Sequence, residues 1–173
     1  MIGYIFRRPS FWAFCLVLTV TLSFVDIIWA QQEKPATTSK PVVAETDGEI
    51  PGVSVQITEL RRLDNDTINL KLVMTNDSDK EFRFGDGIFA DRDYPKDNWT
   101  IGGIHLLDST GKKKYLVVRD SEGNCVCSHV AAPIPAHSRM NLWAKFPAPP
   151  ENVRKIGIII PHFQPLDDVP IGD

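Results

Sequence analysis

No stretch of this chain repeats apolar residues at helical spacing, so a helix bundle or a doubly wound α/β fold is excluded at the outset. Catalytic signatures are missing too. Ser109, Ser121, Ser128 and Ser138 lack the glycines of a G-x-S-x-G elbow, no H-E-x-x-H occurs, and no glycine-rich loop opens a helix. That removes the common serine-hydrolase, zinc-protease and nucleotide-phosphate chemistries. Lysine and arginine number 19 against 22 aspartates and glutamates, and without a basic surplus there is no electrostatic footprint for nucleic acid or an anionic membrane. Cysteine is scarce: three in all, one of them, Cys15, inside an N-terminal apolar run. That run, residues 11–25, falls short of the roughly 20 apolar residues that a spanning helix needs.

What is present begins with the same run. Arg7-Arg8 precedes it, Asp26 interrupts it, and Ile28-Trp29-Ala30 places a small residue before Gln31. A basic start, an apolar segment of this length and a small residue at the cut describe a secretory signal peptide over 1–30, with an uncleaved N-terminal membrane anchor as the alternative. The expected location is extracytoplasmic, either secreted or periplasmic. Cleavage removes Arg7, Arg8 and Asp26 and leaves 17 basic against 21 acidic side chains, a net charge of −4. Residues 31–50 mix Pro, Thr, Ser and both charges with no apolar period. Such a composition cannot bury enough surface to offset chain entropy, so a flexible tether is expected. From Pro51 onward 123 residues remain, enough for one domain, 51–173, with a real core.

That domain is organised around residues 67–75, where Ile68, Leu70, Leu72 and Met74 alternate with Asn69, Lys71, Val73 and Thr75. The spacing puts four apolar side chains on one face of a strand. A strand of this kind needs a second apolar layer, and the pattern recurs at 53–60, 140–146 and 156–160. Shorter strands are expected at 81–84, 99–107, 114–119 and 125–130, separated by turns rich in Asp, Asn and Gly. The tail 163–173 carries Pro165 and Pro170, so it can pack but not pair as an inner strand. Seven or eight strands with regular turns predict an all-β, immunoglobulin-like antiparallel β-sandwich.

Four pieces of the C-terminal half carry a resemblance. They are Leu106-Leu107-Asp108-Ser109-Thr110-Gly111; Arg119-Asp120-Ser121-Glu122-Gly123 with Cys125-Val126-Cys127-Ser128; Phe146-Pro147 through Pro149-Pro150; and Asp168-Val169-Pro170-Ile171. Together they resemble uncharacterised β-sandwich domains of secreted bacterial proteins, some of which stand beside OmpA-like peptidoglycan-binding domains in envelope proteins. The resemblance spans residues 52–171. It implies the fold and the extracytoplasmic setting, and it brings no activity and no catalytic residue with it.

Cys125-Val126-Cys127-Ser128-His129 is the sharpest chemical signal. On a strand, Cys125, Cys127 and His129 share a face, and two thiolates with an imidazole can hold zinc or copper, a fourth ligand coming from His105, His137 or His162. In an oxidising compartment two nearby thiols pair instead, provided the chain bends, and Gly123-Asn124 supplies a place for the bend. Free reactive thiols are a third possibility. Loop 85–98 carries Asp86, Asp91, Asp93 and Asp97, either calcium ligands without EF-hand spacing or solvated turn residues. With Trp99 beside it, this long loop is a candidate binding surface. Trp143 has the opposite phase from Leu142 and Phe146, which makes it an exposed stacking platform for sugar or peptide, or a half-buried position on a two-sided strand. N-glycosylation sequons begin at Asn65, Asn76 and Asn98. No cofactor is implied. The expected function is that of a non-enzymatic interaction module binding an envelope protein or a cell-wall component. The alternative is a metal-handling or thiol-redox protein centred on Cys125, Cys127 and His129.

Overall fold

The computed structural model describes residues 41–64, 66–85, 89–91, 93–94 and 98–173. The expected signal peptide, residues 31–40 of the expected tether, Asp86 and Asp97 lie outside the described residues.

Strand β3 (Thr67–Asn76) is an inner strand of the first sheet, and its Ile68, Leu70, Leu72 and Met74 are buried as their alternation requires. β2 (Val53–Arg62) forms an antiparallel hairpin with it. Val53, Val55 and Ile57 face the core, and then the phase changes. A bulge between Ile57 and Glu59 takes Thr58 out of the ladder, so that Leu60 turns inward and Glu59 does not. A strand with a two-residue period can keep both apolar sets on one face only by inserting such an extra residue. β6 (Ser138–Pro147) pairs with β3 from Asn76↔Ser138 to Thr67↔Pro147 and adds Leu142, Ala144 and Phe146 to the buried face. β1 (Ala44–Asp47) completes the order β1-β2-β3-β6.

The second sheet is also antiparallel and four-stranded, in the order β5-β4-β7-β8: β4 (His105–Asp108), β5 (Lys113–Leu116), β7 (Lys155–Ile159) and β8 (Leu166–Pro170). Asp108 shapes the β4–β5 hairpin, its Oδ1 accepting from Thr110 N at 3.0 Å and Gly111 N at 2.9 Å. Links β3–β4, β5–β6 and β6–β7 cross between sheets, and the rest stay within one. One hydrophobic cluster draws on both layers, Leu72 and Phe146 from the first and Leu106, Tyr115 and Ile158 from the second. The two apolar faces therefore share one core, as in a β-sandwich, each buried aliphatic contributing about 1.5–3 kcal/mol. Among the described residues there is no helix.

The tether expected over 31–50 gives way at its far end, where Ala44–Asp47 pairs with β2 from Ala44↔Ile57 to Asp47↔Ser54. Its one buried side chain is polar: Thr46 Oγ1 donates to Gln164 O at 2.9 Å. The strand expected at 81–84 shrinks to the bridge Phe82↔Ile134, and the one at 125–130 to separate bridges. The expected strand at 99–107 becomes β4 alone, after a turn at Gly102-Gly103. A Cβ on Gly103 would sit 2.7 Å from Ala90 O and 2.9 Å from Phe89 O, so glycine alone lets that loop close in. β8 occupies the outer edge of its sheet, where its flanking prolines do no harm to a ladder.

Candidate functional site

Segment 125–130 runs along the outer edge of β6. Ser128 N donates to Trp143 O at 2.8 Å and Lys145 N donates to Val126 O at 3.1 Å. Between them Trp143 N donates to the Ser128 hydroxyl at 2.8 Å. A side chain has replaced a backbone acceptor in the ladder, which is why bridges form here rather than a strand. The turn before it is held by Asp120, whose Oδ1 accepts from Glu122 N and Asn124 N, each at 2.9 Å, and whose Oδ2 accepts from Asn124 Nδ2 at 3.0 Å. These donors, the Asn124 side chain first, hold the Asp120 carboxyl below its ordinary value. Gly123, at φ 84°, takes the left-handed place in the turn.

The bend brings the Cα atoms of Cys125 and Cys127 to 5.3 Å, and their sulfurs are at bonding distance as a disulfide. Both cysteines pack against the core. Bonded sulfurs offer no thiolate to a metal, and His129 is exposed, its backbone bridged to Thr100. Among the described residues no three His, Cys, Asp or Glu side chains converge on a metal position. The other histidines serve local structure. His105 Nδ1 lies 3.3 Å from Gly103 O, His137 Nε2 3.1 Å from Asp79 Oδ1, and His162 Nδ1 2.9 Å from Glu49 Oε2. Burial lowers the His105 pKa, the Gly103 carbonyl raises it, Lys114 lowers it further and Asp91 raises it, with a net downward shift.

The loop carrying Asp91, Asp93 and Tyr94 folds back on Arg119. Arg119 Nη1 donates to Gly123 O at 3.0 Å, Nη2 lies 3.4 Å from Asp91 Oδ2, and the guanidinium covers the Tyr94 ring 3.4 Å from its centroid. A planar cation suits both a carboxylate and an aromatic face. Asp91 Oδ1 also accepts from Asp93 N at 3.1 Å. The described acidic residues of the loop, Asp91 and Asp93, therefore build a turn and an ion pair.

Beside Arg119 a groove of about 500 Å³ opens along β5, with Tyr94, Lys113, Leu116, Arg119 and Pro147 in its walls. Its origin is chemical. Val118 N donates to Lys145 O at 2.8 Å and joins the two sheets there. Two residues further along β6 comes Pro147, which has no N–H, and Pro149 and Pro150 follow, so the seam cannot continue. Arg62 pins that connection by donating to Pro149 O at 2.8 Å, Pro150 O at 2.9 Å and Val153 O at 3.2 Å. Lys113 Nζ stands 4.9 Å over the Tyr115 ring. Neither Lys113 nor Lys114 has a carboxylate at ion-pairing distance among the described residues. Leu116 is 45% exposed and Tyr94 39%. Tyr115 is buried, with a hydroxyl that has no hydrogen-bond partner among the described residues. Burial and then the Asp108 charge push its pKa up, while Arg62 opposes them.

The groove thus combines two flexible cations, an anchored guanidinium, exposed apolar groups and a strand edge, which is recognition chemistry. Trp99 and Trp143 are exposed, at 42% and 41%, and neither lines it. Trp143 is a strand residue on the outer face of β6, opposite Lys71 in register. Asn76 of one sequon is fully buried, which bars a glycan there in the folded chain. The residues that sequence reasoning passed over are Tyr94, Arg119 and the lysines of β5. The available signal was Lys112-Lys113-Lys114, three consecutive cations in an acidic chain. In comparisons with known proteins, no protein-family model, no curated protein and no solved structure matches the chain.

Proposed function

We propose that the protein is a non-enzymatic interaction module, exported from the cytoplasm, that binds an envelope protein or a cell-wall component through the groove beside β5. The observation that carries this reading is the groove: two lysines with no carboxylate at ion-pairing distance among the described residues, an exposed tyrosine and leucine, and an arginine held between Asp91 and Tyr94. Pre-set cations and aromatic anchors are what recognition surfaces concentrate. Export rests on the basic, apolar and small-residue succession of residues 1–30. The resemblance to secreted bacterial sandwich domains favours the same setting.

We read the topology as immunoglobulin-like. In its favour, β2-β3-β6 continued by segment 125–130, set against β5-β4-β7-β8, corresponds to the strands A-B-E-D against C′-C-F-G, with β1 as an added outer strand.

The test uses the exported, tagged protein and its Lys113→Glu/Lys114→Glu variant, each mixed with sedimented cell wall and with solubilised envelope proteins of the host. Retention by one of these fractions, weakened roughly tenfold by the charge reversal, is expected. No retention at all, or equal retention of both proteins, overturns the proposal.

A further inference from the structure

We infer that the ligand of this groove is an extended, acid-rich polypeptide segment that lies against the outer edge of β5 and adds a strand to the β5-β4-β7-β8 sheet. The inference rests on the groove being the binding surface and names the class of ligand it takes. β5 ends its sheet, pairing with β4 on one side only. Its outer edge therefore presents backbone N–H and C=O groups at every second residue, the template that strand addition uses. The groove lies along that edge, and the donor-less Pro147 on its far wall cannot close it.

Side chains select what may enter. Lys113 and Lys114 sit on the edge strand itself, with Lys112 before them and Arg119 beyond. A second copy of β5 laid parallel and in register would set lysines against lysines, and like charges across a strand pair destabilise it. The same lysines attract a strand that carries carboxylates. Lys114 and Leu116 share one face of β5, since they are two residues apart, and Leu116 stands 45% exposed. A matching segment thus places an acidic and an apolar side chain two residues apart on that face. An anionic glycan offers the charge but not the alternating amide donors and acceptors, so it leaves the edge unused.

The experiment is an NMR titration of the isotope-labelled protein with a blocked octapeptide alternating glutamate and valine. The comparison probes are two versions of that peptide, N-methylated in one or the other alternate phase, and an oligogalacturonate. The unmodified peptide should shift the amides of Lys113–Leu116 and protect them from exchange. One N-methylated phase should bind roughly tenfold more weakly, having lost its hydrogen bonds to β5 at equal charge. Absence of peptide binding, shifts confined to other strands, equal binding of all three peptides, or equally tight binding of the oligogalacturonate each overturns strand addition. If the lysine-dependent envelope retention described above survives any of those outcomes, the groove stands and only the ligand class falls. If that retention is itself absent, the module reading has failed.

Discussion

Replacing Asn76 tests the packing argument at one atom group. Asn76 ends β3 and is fully buried. Its Nδ2 donates to Lys80 O at 2.7 Å and to Ile134 O and Pro135 O, each at 3.1 Å, while its Oδ1 accepts from Ser78 N at 3.1 Å and Ser78 Oγ at 2.7 Å. One side chain thereby ties β3 to the turn after it and to the loop before β6. Two of the three carbonyls keep another donor when the amide is lost: Lys80 O accepts from Ser78 Oγ and Ile134 O from Phe82 N. Pro135 is exposed, so water can reach its carbonyl. Asn76→Ala should therefore cost about 3 kcal/mol, from the lost bonds of the buried amide and with no carbonyl left stranded. In a domain of this size that lowers Tm by on the order of 10 °C.

Asn76→Asp keeps the shape and removes the donor, facing a carboxylate with carbonyl oxygens in a buried site. It should cost more than the alanine variant at pH 7. Its carboxyl would be raised above the unfolded value, so the folded state binds the extra proton and part of the loss is recovered as pH falls towards 4. The assay is urea denaturation of the wild type and both variants at pH 7 and pH 4.5. An alanine variant within about 0.5 kcal/mol of wild type, or an aspartate variant whose deficit ignores pH, would refute the argument.

Three further outcomes follow from the same structure. Tyr115→Phe removes a buried hydroxyl that lacks a partner among the described residues, so the variant should unfold at equal or higher denaturant, by up to about 1 kcal/mol, and a loss of that size would show that the hydroxyl is bonded. The Cys125–Cys127 ring closes over a separation of two residues, and the double alanine variant should lose only about 1–2 kcal/mol in equilibrium unfolding, where a loss above about 4 would give the bridge a larger role. Burial lowers the His105 pKa from its ordinary 6.5, against the Gly103 bond, so the stability it supports is present above that value and lost as pH falls below it. Unfolding curves from pH 7.5 to 5 should slope downward more steeply for wild type than for His105→Gln, and identical slopes would contradict the assignment.

The main features of the fold were legible where a strand has one wet and one dry face. The alternation of Ile68, Leu70, Leu72 and Met74 made β3 readable without help. β1 was not, because its inward residue is Thr46, satisfied by Gln164 far along the chain, and no local pattern records such a bond. Leu60 was placed in the first strand without its bulge, although the change of phase after Ile57 marks it. At the site, attention to the aspartates of loop 85–98 found Asp91 but not its role. That role depends on Arg119, 28 residues away, and on Tyr94 stacked over it. The turn at Gly123-Asn124 correctly pointed to the bend that the cysteines require. The groove itself was invisible, since it arises where β6 runs into proline and the seam between the sheets stops.

The most direct measurement places a photo-crosslinking amino acid at Leu116, in the groove, or at Val73, on the outer face of the other sheet, in cells of the host. Irradiation should yield a discrete adduct from position 116 and none from position 73. Adducts from position 73 alone, or equal adducts from both positions, would contradict the claim that this protein meets its partner along β5.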